Sequence, residues 1–290
     1  MNERLFLRLD EDRTQAPESQ APAGTLRALP LGAALHDEVA HVLAYREAIT
    51  PGREIIERVL PDGALRMVFH LGTGTPSGID GTAPAALVVG AHAAPLIVRL
   101  RGAMDGLSVT LRHGAAQALF GMPAGAIEGT TVPLDALWGG AAARLLEQLS
   151  SATDDASRLR ALQDALLRRL RAHPAAPSQL VERALALMRS SEGQRSVRDV
   201  AAAVGVSERR LQQLFHAQVG LSPRTFSRLL RLHAMLRALR QPERSSWAHL
   251  AIDAGYYDQA HLANEFHALC GMTPGEFVRR SVSLSSKTAA

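Results

Sequence analysis

Apolar residues fall at helical spacing in two places near the C-terminus, and the two places repeat each other. In the first, Val197, Val200, Ala201 and Val204 make one stripe, which predicts a short amphipathic helix. Gly205 ends it, because glycine tolerates the left-handed backbone of a helix stop. Ser207 is a fit N-cap for a second helix. That helix has Leu211, Leu214 and Phe215 on its inner face and Glu208, Arg209, Arg210, Gln212 and Gln213 on its outer one. In the second place, Trp247, Leu250, Ala251 and Ala254 make the stripe and Gly255 the stop. Asp258 is the cap, Leu262 and Phe266 face inward, and Gln259, Ala260, His261, Asn264 and Glu265 face outward. Phe215-His216-Ala217 returns as Phe266-His267-Ala268, and Gly220, Pro223 and Phe226 return as Gly271, Pro274 and Phe277, all at a spacing of 51. The stops Gly205 and Gly255 are 50 apart, so one residue has been gained between the copies.

Upstream the pattern changes. Between residues 25 and 135 the apolar runs are short and bracketed by Gly and Pro, which predicts the strands of a sandwich or small barrel. The runs lie at 53–59, 65–71, 86–90, 96–100 and 107–111, with a turn at Pro61-Asp62-Gly63 and a Gly/Pro-rich loop at 72–84. Helical spacing returns at 115–120. It continues at 136–149, through Leu137, Ala141, Leu145, Leu146 and Leu149, and at 155–171, through Leu159, Leu162, Leu166, Leu167 and Leu170. These two amphipathic helices are expected either to pack on the β-rich part or to join two copies of the chain. The Pro/Ala stretch at 173–177 is the clearest boundary. The predicted layout is a flexible tail at 1–24, a β-rich domain at 25–135, linker helices at 136–177, an all-helical domain at 178–282 and a disordered tail at 283–290. The fold class is α+β.

Composition sharpens this picture. A chain of 290 residues with 47% hydrophobic content holds two domains with cores of their own. No apolar run approaches the length of a membrane span. The charged N-terminus lacks a signal-peptide core, so the expected location is the cytoplasm. The lone Cys270 fits a reducing compartment and a core role. Charge is unevenly placed. Residues 178–282 carry 14 Arg against 9 Asp and Glu, a surplus of five, so with the whole chain at +4 the remainder sits at −1. The positive surplus coincides with the repeated helices, as a nucleic-acid reader requires.

Two helices joined by a tight turn place the second in the major groove of DNA, its N-terminal residues at the base edges. Arg matches guanine there, and Gln or Asn matches adenine. Ser207 to Phe215 (SERRLQQLF), the following Gly220-Leu221-Ser222-Pro223, and Ala254 to Leu262 (AGYYDQAHL) resemble the DNA-binding domain of the AraC/XylS family of bacterial transcription regulators. The resemblance covers about a third of the chain. It implies seven helices and two helix-turn-helix units, joined by a long helix at about 223–240 and reading successive grooves. It assigns Arg209, Gln212 and Gln213 to bases in one groove and Gln259, Ala260, His261 and Asn264 to bases in the next. Arg210, Arg228 and Arg231 are assigned to phosphates. Ala260 and Asn264 depart from the family's frequent Ser and Arg. The stretch from Arg46-Glu47 through Pro61-Asp62-Gly63 to Phe69-His70-Leu71-Gly72 is similar to an N-terminal domain found on some of these regulators, which implies a cupin-like β-barrel with flanking helices. The implied partners are double-stranded DNA, an unidentified small-molecule effector, RNA polymerase and a second copy of the chain; no membrane partner is expected.

Candidate chemistry in the β-rich part is thin. His70, His92 and His113 would be metal ligands only if the fold brought them together, since their spacings of 22 and 21 match no ligand pattern. Among Arg66, Arg99, Arg101 and Arg112, one facing inward would suit an anionic effector. No nucleophile elbow or phosphate-cradling loop is present. No catalytic residue, metal or cofactor is therefore assigned. The alternative reading is a barrel with metal-dependent chemistry of its own.

Overall fold

The computed structural model describes residues 3–74, 77–78, 81–82, 85–174, 178–241 and 251–285. The strands are β1 (Glu3–Phe6), β2 (Leu26–Leu29), β3 (Val39–Ala48), β4 (Ile55–Val59), β5 (Arg66–His70), β6 (Ser77–Gly78), β7 (Gly81–Thr82), β8 (Ala86–Val89), β9 (Leu96–Leu100), β10 (Ala103–Leu111) and β11 (Thr131–Pro133). They form two sheets, in the orders β1-β4-β9-β6-β7 and β11-β8-β5-β10-β3-β2. All pairs are antiparallel except β1 with β4. Alternation sets the faces of the second sheet. Val42, Met67, Phe69, Leu107 and Val109 are fully buried on one side. Arg4 on β1 ties the sheets together, donating to Glu57 on β4 at 2.6 Å and to both oxygens of Glu47 on β3 at 2.7 Å.

The helices of the N-terminal part are α1 (Ala115–Phe120), α2 (Leu134–Trp138), α3 (Gly140–Ser151) and α4 (Asp155–Ala172). Their apolar faces are spent within the chain. Leu145, Leu149, Leu162 and Leu166 are buried in the same core as the sheet. Arg158 on α4 clamps Asp105 on β10 through two bonds of 2.9 Å.

Residues 3–24, expected to be a flexible tail, are packed structure. Leu5, Leu7 and Leu9 alternate inward and are at most 1% exposed. Ser19 both donates to and accepts from the Leu7 backbone. The charges that mark a tail in the sequence have distant partners: Glu3 pairs with Arg58, and Asp12 and Glu18 pair with Arg240. The longest strand, β3, and its neighbour β2 were not singled out by alternation. Val42, Leu43 and Ala44 are buried in succession, so β3 has no alternating signature. In the loop 72–84, residues 77–78 and 81–82 pair as a minimal hairpin. Residues 175–177 of the linker lie outside the described residues.

The C-terminal part holds α5 (Gln179–Ser190), α6 (Val197–Val204), α7 (Glu208–Val219), α8 (Pro223–Ala238), α9 (Gln259–Cys270) and α10 (Pro274–Ser285). Residues 251–253 are helical as well. The stretch 283–285, expected to be tail, belongs to α10; Thr273 and Glu276 start that helix with a reciprocal capping box. Trp247 and Leu250 lie outside the described residues.

The two parts are docked. Pro61 of the 61–63 turn accepts from His233 on α8 at 3.0 Å, and Gly63 beside it (φ +75°) leaves room for Leu221, Phe226 and Leu229. Gly114 donates to the Gln218 backbone at 2.8 Å. Arg58 reaches the carbonyls of Cys270 and Gly271, and Gln20 donates to that of Arg280. The β-rich part thus touches both copies of the repeat.

Candidate nucleic-acid interface

The repeat in the sequence is a repeat in space. Ser207 caps α7 by accepting from Arg210 N at 3.2 Å, and Asp258 caps α9 by accepting from His261 N at 2.7 Å. Gly205 and Gly255 make the turns at φ +79° and +76°. Leu211 and Phe215 are matched by Leu262 and Phe266, each at most 1% exposed. Each unit contains the same edge-to-face phenylalanine pair. Phe215 meets Phe226 at 5.5 Å and 62°, and Phe266 meets Phe277 at 5.6 Å and 70°. Cys270 stands where the first copy has Val219; both are fully buried, and burial pushes the thiol's pKa up.

With the inner face fixed this way, the outer face is free. Arg209, Gln212 and Gln213 on α7 are exposed, as are Gln259, Ala260, His261 and Asn264 on α9. The structure gathers each set on the N-terminal half of its helix. Arg210 is exposed and its side chain engages no protein partner among the described residues. Arg228 and Arg231 are differently placed. Arg228 on α8 clamps Glu265 on α9 at 2.5 and 3.1 Å. Arg231 lies over the Tyr256 ring at 5.4 Å, and that ring meets His261 edge-on at 5.5 Å. Both arginines are struts between the central helix and the second unit. Burial raises the Tyr256 hydroxyl to about 12, so it stays protonated there.

Two exposed residues were missed. Tyr257 is 90% exposed between the turn Gly255 and the cap Asp258, and Ile252 is 66% exposed on the preceding helical residues. The signal was available: Val206 and Tyr256 each follow the turn glycine and donate to the equivalent carbonyls of Ala201 and Ala251, so Tyr257 is the residue gained between turn and cap in the second copy.

Residues 178–280 match the sequence family described as "Helix-turn-helix domain". The C-terminal third of this chain is an AraC-type helix-turn-helix domain. Residues 29–133 match a second family, described as a domain of unknown function, DUF6597. Among solved structures, the chain is similar to a transcriptional regulator with an AraC-type DNA-binding domain from Chromobacterium violaceum. That match has 27% identity, covers 35% of this chain and 91% of that one, and has a TM-score of 0.33. ToxT from Vibrio cholerae matches over 82% of this chain and 98% of its own, at 10% identity and TM-score 0.42. A ToxT structure described as bound to unsaturated fatty acid matches over 81% and 94%, at 9% identity and TM-score 0.40. A search of curated proteins finds no match. The assignment rests on the sequence-family match and on the duplicated unit.

The β-rich part holds no metal cluster among the described residues. His70 lies beside the Tyr45 hydroxyl and His92 beside the Gly90 carbonyl, while the His113 ring meets Phe226 edge-on. The arginines considered there are engaged: Arg66 with Asp62, Arg99 and Arg101 with Glu54, and Arg112 with the His36 carbonyl. No described helix is long and apolar enough to cross a membrane.

Proposed function

We propose that this protein is a sequence-specific regulator of transcription that places α7 and α9 in successive major grooves on one face of DNA. The observation that carries the reading is the duplicated unit. Two helices share one cap, one turn and one aromatic pair, and each leaves a polar, donor- and acceptor-rich face uncovered. Arg209, Gln212 and Gln213 read bases in the first groove, and Gln259, Ala260, His261 and Asn264 read them in the second. Arg210 meets a phosphate. Arg228 and Arg231 would meet one only by leaving Glu265 and Tyr256, so their larger effect is to aim α9. The protein binds rather than catalyses, and its β-rich part controls the reader it is docked against. Selection of bound DNA from a random pool, repeated at two salt concentrations, tests the proposal. A site with two short boxes about one helical turn apart, roughly 34 Å, is the expected result. Recovery of no motif, with binding lost at the higher salt, would leave only a basic surface and defeat the proposal.

A further inference from the structure

The β-rich part grips α7 and α9 at equivalent ends. The last carbonyls of a helix have no partner within it. On α7 the Gln218 carbonyl accepts from Gly114 N at 2.8 Å. On α9 the carbonyls of Cys270, and of Gly271 just beyond it, accept from Arg58 of β4 at 3.4 Å. The repeat spacing of 51 matches Gln218 with Leu269, so the two grips fall within two residues of the same position. The stop glycines then meet a single loop. Gly220 (φ +87°) lies against Ala91 and Gly271 (φ +66°) against Pro95, and both partners belong to residues 90–95 between β8 and β9. His216 widens the first grip. Its ring fills the space a Cβ would take at Gly125, in the 3-10 helix Ala124–Ile127, and stands 3.3 Å from the Glu128 carboxylate. Glu3 of β1 widens the second, pairing with both Arg58 and Arg280 of α10.

These grips act where the helical domain's own ties do not. Arg228 holds Glu265, Arg231 lies over Tyr256, and Gln194 donates to the Asp253 carbonyl at 2.8 Å. Those three ties fall before α9 or at its middle. A helix held at one end can still swing, and one held at both cannot. On DNA the difference is large. Adding one base pair between two boxes moves the second by about 3.4 Å and turns it by about 35° around the axis. A rigid pair of readers therefore fits one spacing, whereas a pair that swings fits several.

We propose that the β-rich part works as a caliper that fixes the one spacing between DNA boxes the protein accepts, with Arg58 and His216 as its positioning residues. The inference rests on the DNA reading proposed above and adds to it a source of specificity that touches no base. Base preference within each box belongs to α7 and α9, and the distance between boxes belongs to the grips.

The test uses the full-length protein and the two-box site recovered by selection, rebuilt with one base pair added or removed between the boxes. Gel-shift titration gives an affinity for each spacing. Wild type should lose about tenfold or more on the altered spacings, the scale of a mismatched base pair. That loss should shrink severalfold in Arg58→Gln and in His216→Ala, and further in the double variant, with the preferred bases of each box unchanged. Arg101→Gln, which removes a β-rich arginine paired with Glu54 rather than with either helix, should keep the wild-type spacing. Arg209→Ala should relax one base position and keep the spacing too. If Arg58→Gln fails to melt cooperatively, His216→Ala, at an exposed side chain, decides. Grip variants as strict as wild type, an equal loss of affinity at every spacing, or a wild type indifferent to spacing would overturn the proposal. Recovery of no two-box site at all would instead defeat the DNA reading, and the caliper with it.

Discussion

At the scale of single residues, the outer and inner faces of α7 answer to different measurements. Arg209→Ala should relax specificity at one base position by about 1–3 kcal/mol, measured by binding to single-substitution variants of the selected site. An equal loss on all sequences would remove Arg209 from the base readers. Phe215→Ala and Phe266→Ala each remove one partner of a buried aromatic pair, and each should cost roughly 3–5 kcal/mol of stability in denaturant titration. Two histidines of the β-rich part give a pH signature. His41 and His113 stay neutral in the folded protein down to about 3 and about 4, well below the ordinary imidazole value of 6.5, chiefly because they are withdrawn from water. The unfolded chain therefore takes up protons first as the pH falls. The stability they contribute is intact above pH 6.5 and is lost as the pH falls from 6.5 to about 4 for His113 and to about 3 for His41. His41→Gln should flatten the fall in melting temperature over that window.

At the scale of elements, the caps and turns decide whether the readers are presented at all. Ser207→Ala and Asp258→Ala should each cost about 1 kcal/mol, and the pair should weaken DNA binding more than either alone, as seen in gel-shift titrations. These elements were legible because helical periodicity, cap residues and stop glycines agree at one place and then agree again 51 residues later. The exposed polar face proposed above to meet DNA followed from them by subtraction. Strand β1 was not legible. Its Leu5-x-Leu7-x-Leu9 alternation is interleaved with Arg4, Arg8 and Asp10, which read as a solvated tail until Glu47 and Glu57 are seen to hold Arg4. Nor were Arg228 and Arg231 readable as struts, because Glu265 and Tyr256 lie 37 and 25 residues away in sequence.

At the scale of the whole molecule, the two domains work as one body because their contacts are distributed. Arg240 holds Asp12 and Glu18 from the turn just beyond α8, so Arg240→Ala should expose residues 10–20 to limited proteolysis while leaving the core melting cooperative. Unchanged cleavage would show that apolar packing alone secures the segment. The same long-range pairing bears on how the chain is made. Glu3, Asp12, Glu18 and Gln20 are made well before the partners they hold in the helical domain, Arg240 and Arg280, some 220 to 280 residues later. During synthesis these side chains therefore lack those partners until the second unit has emerged, although β1 can already pair with β4.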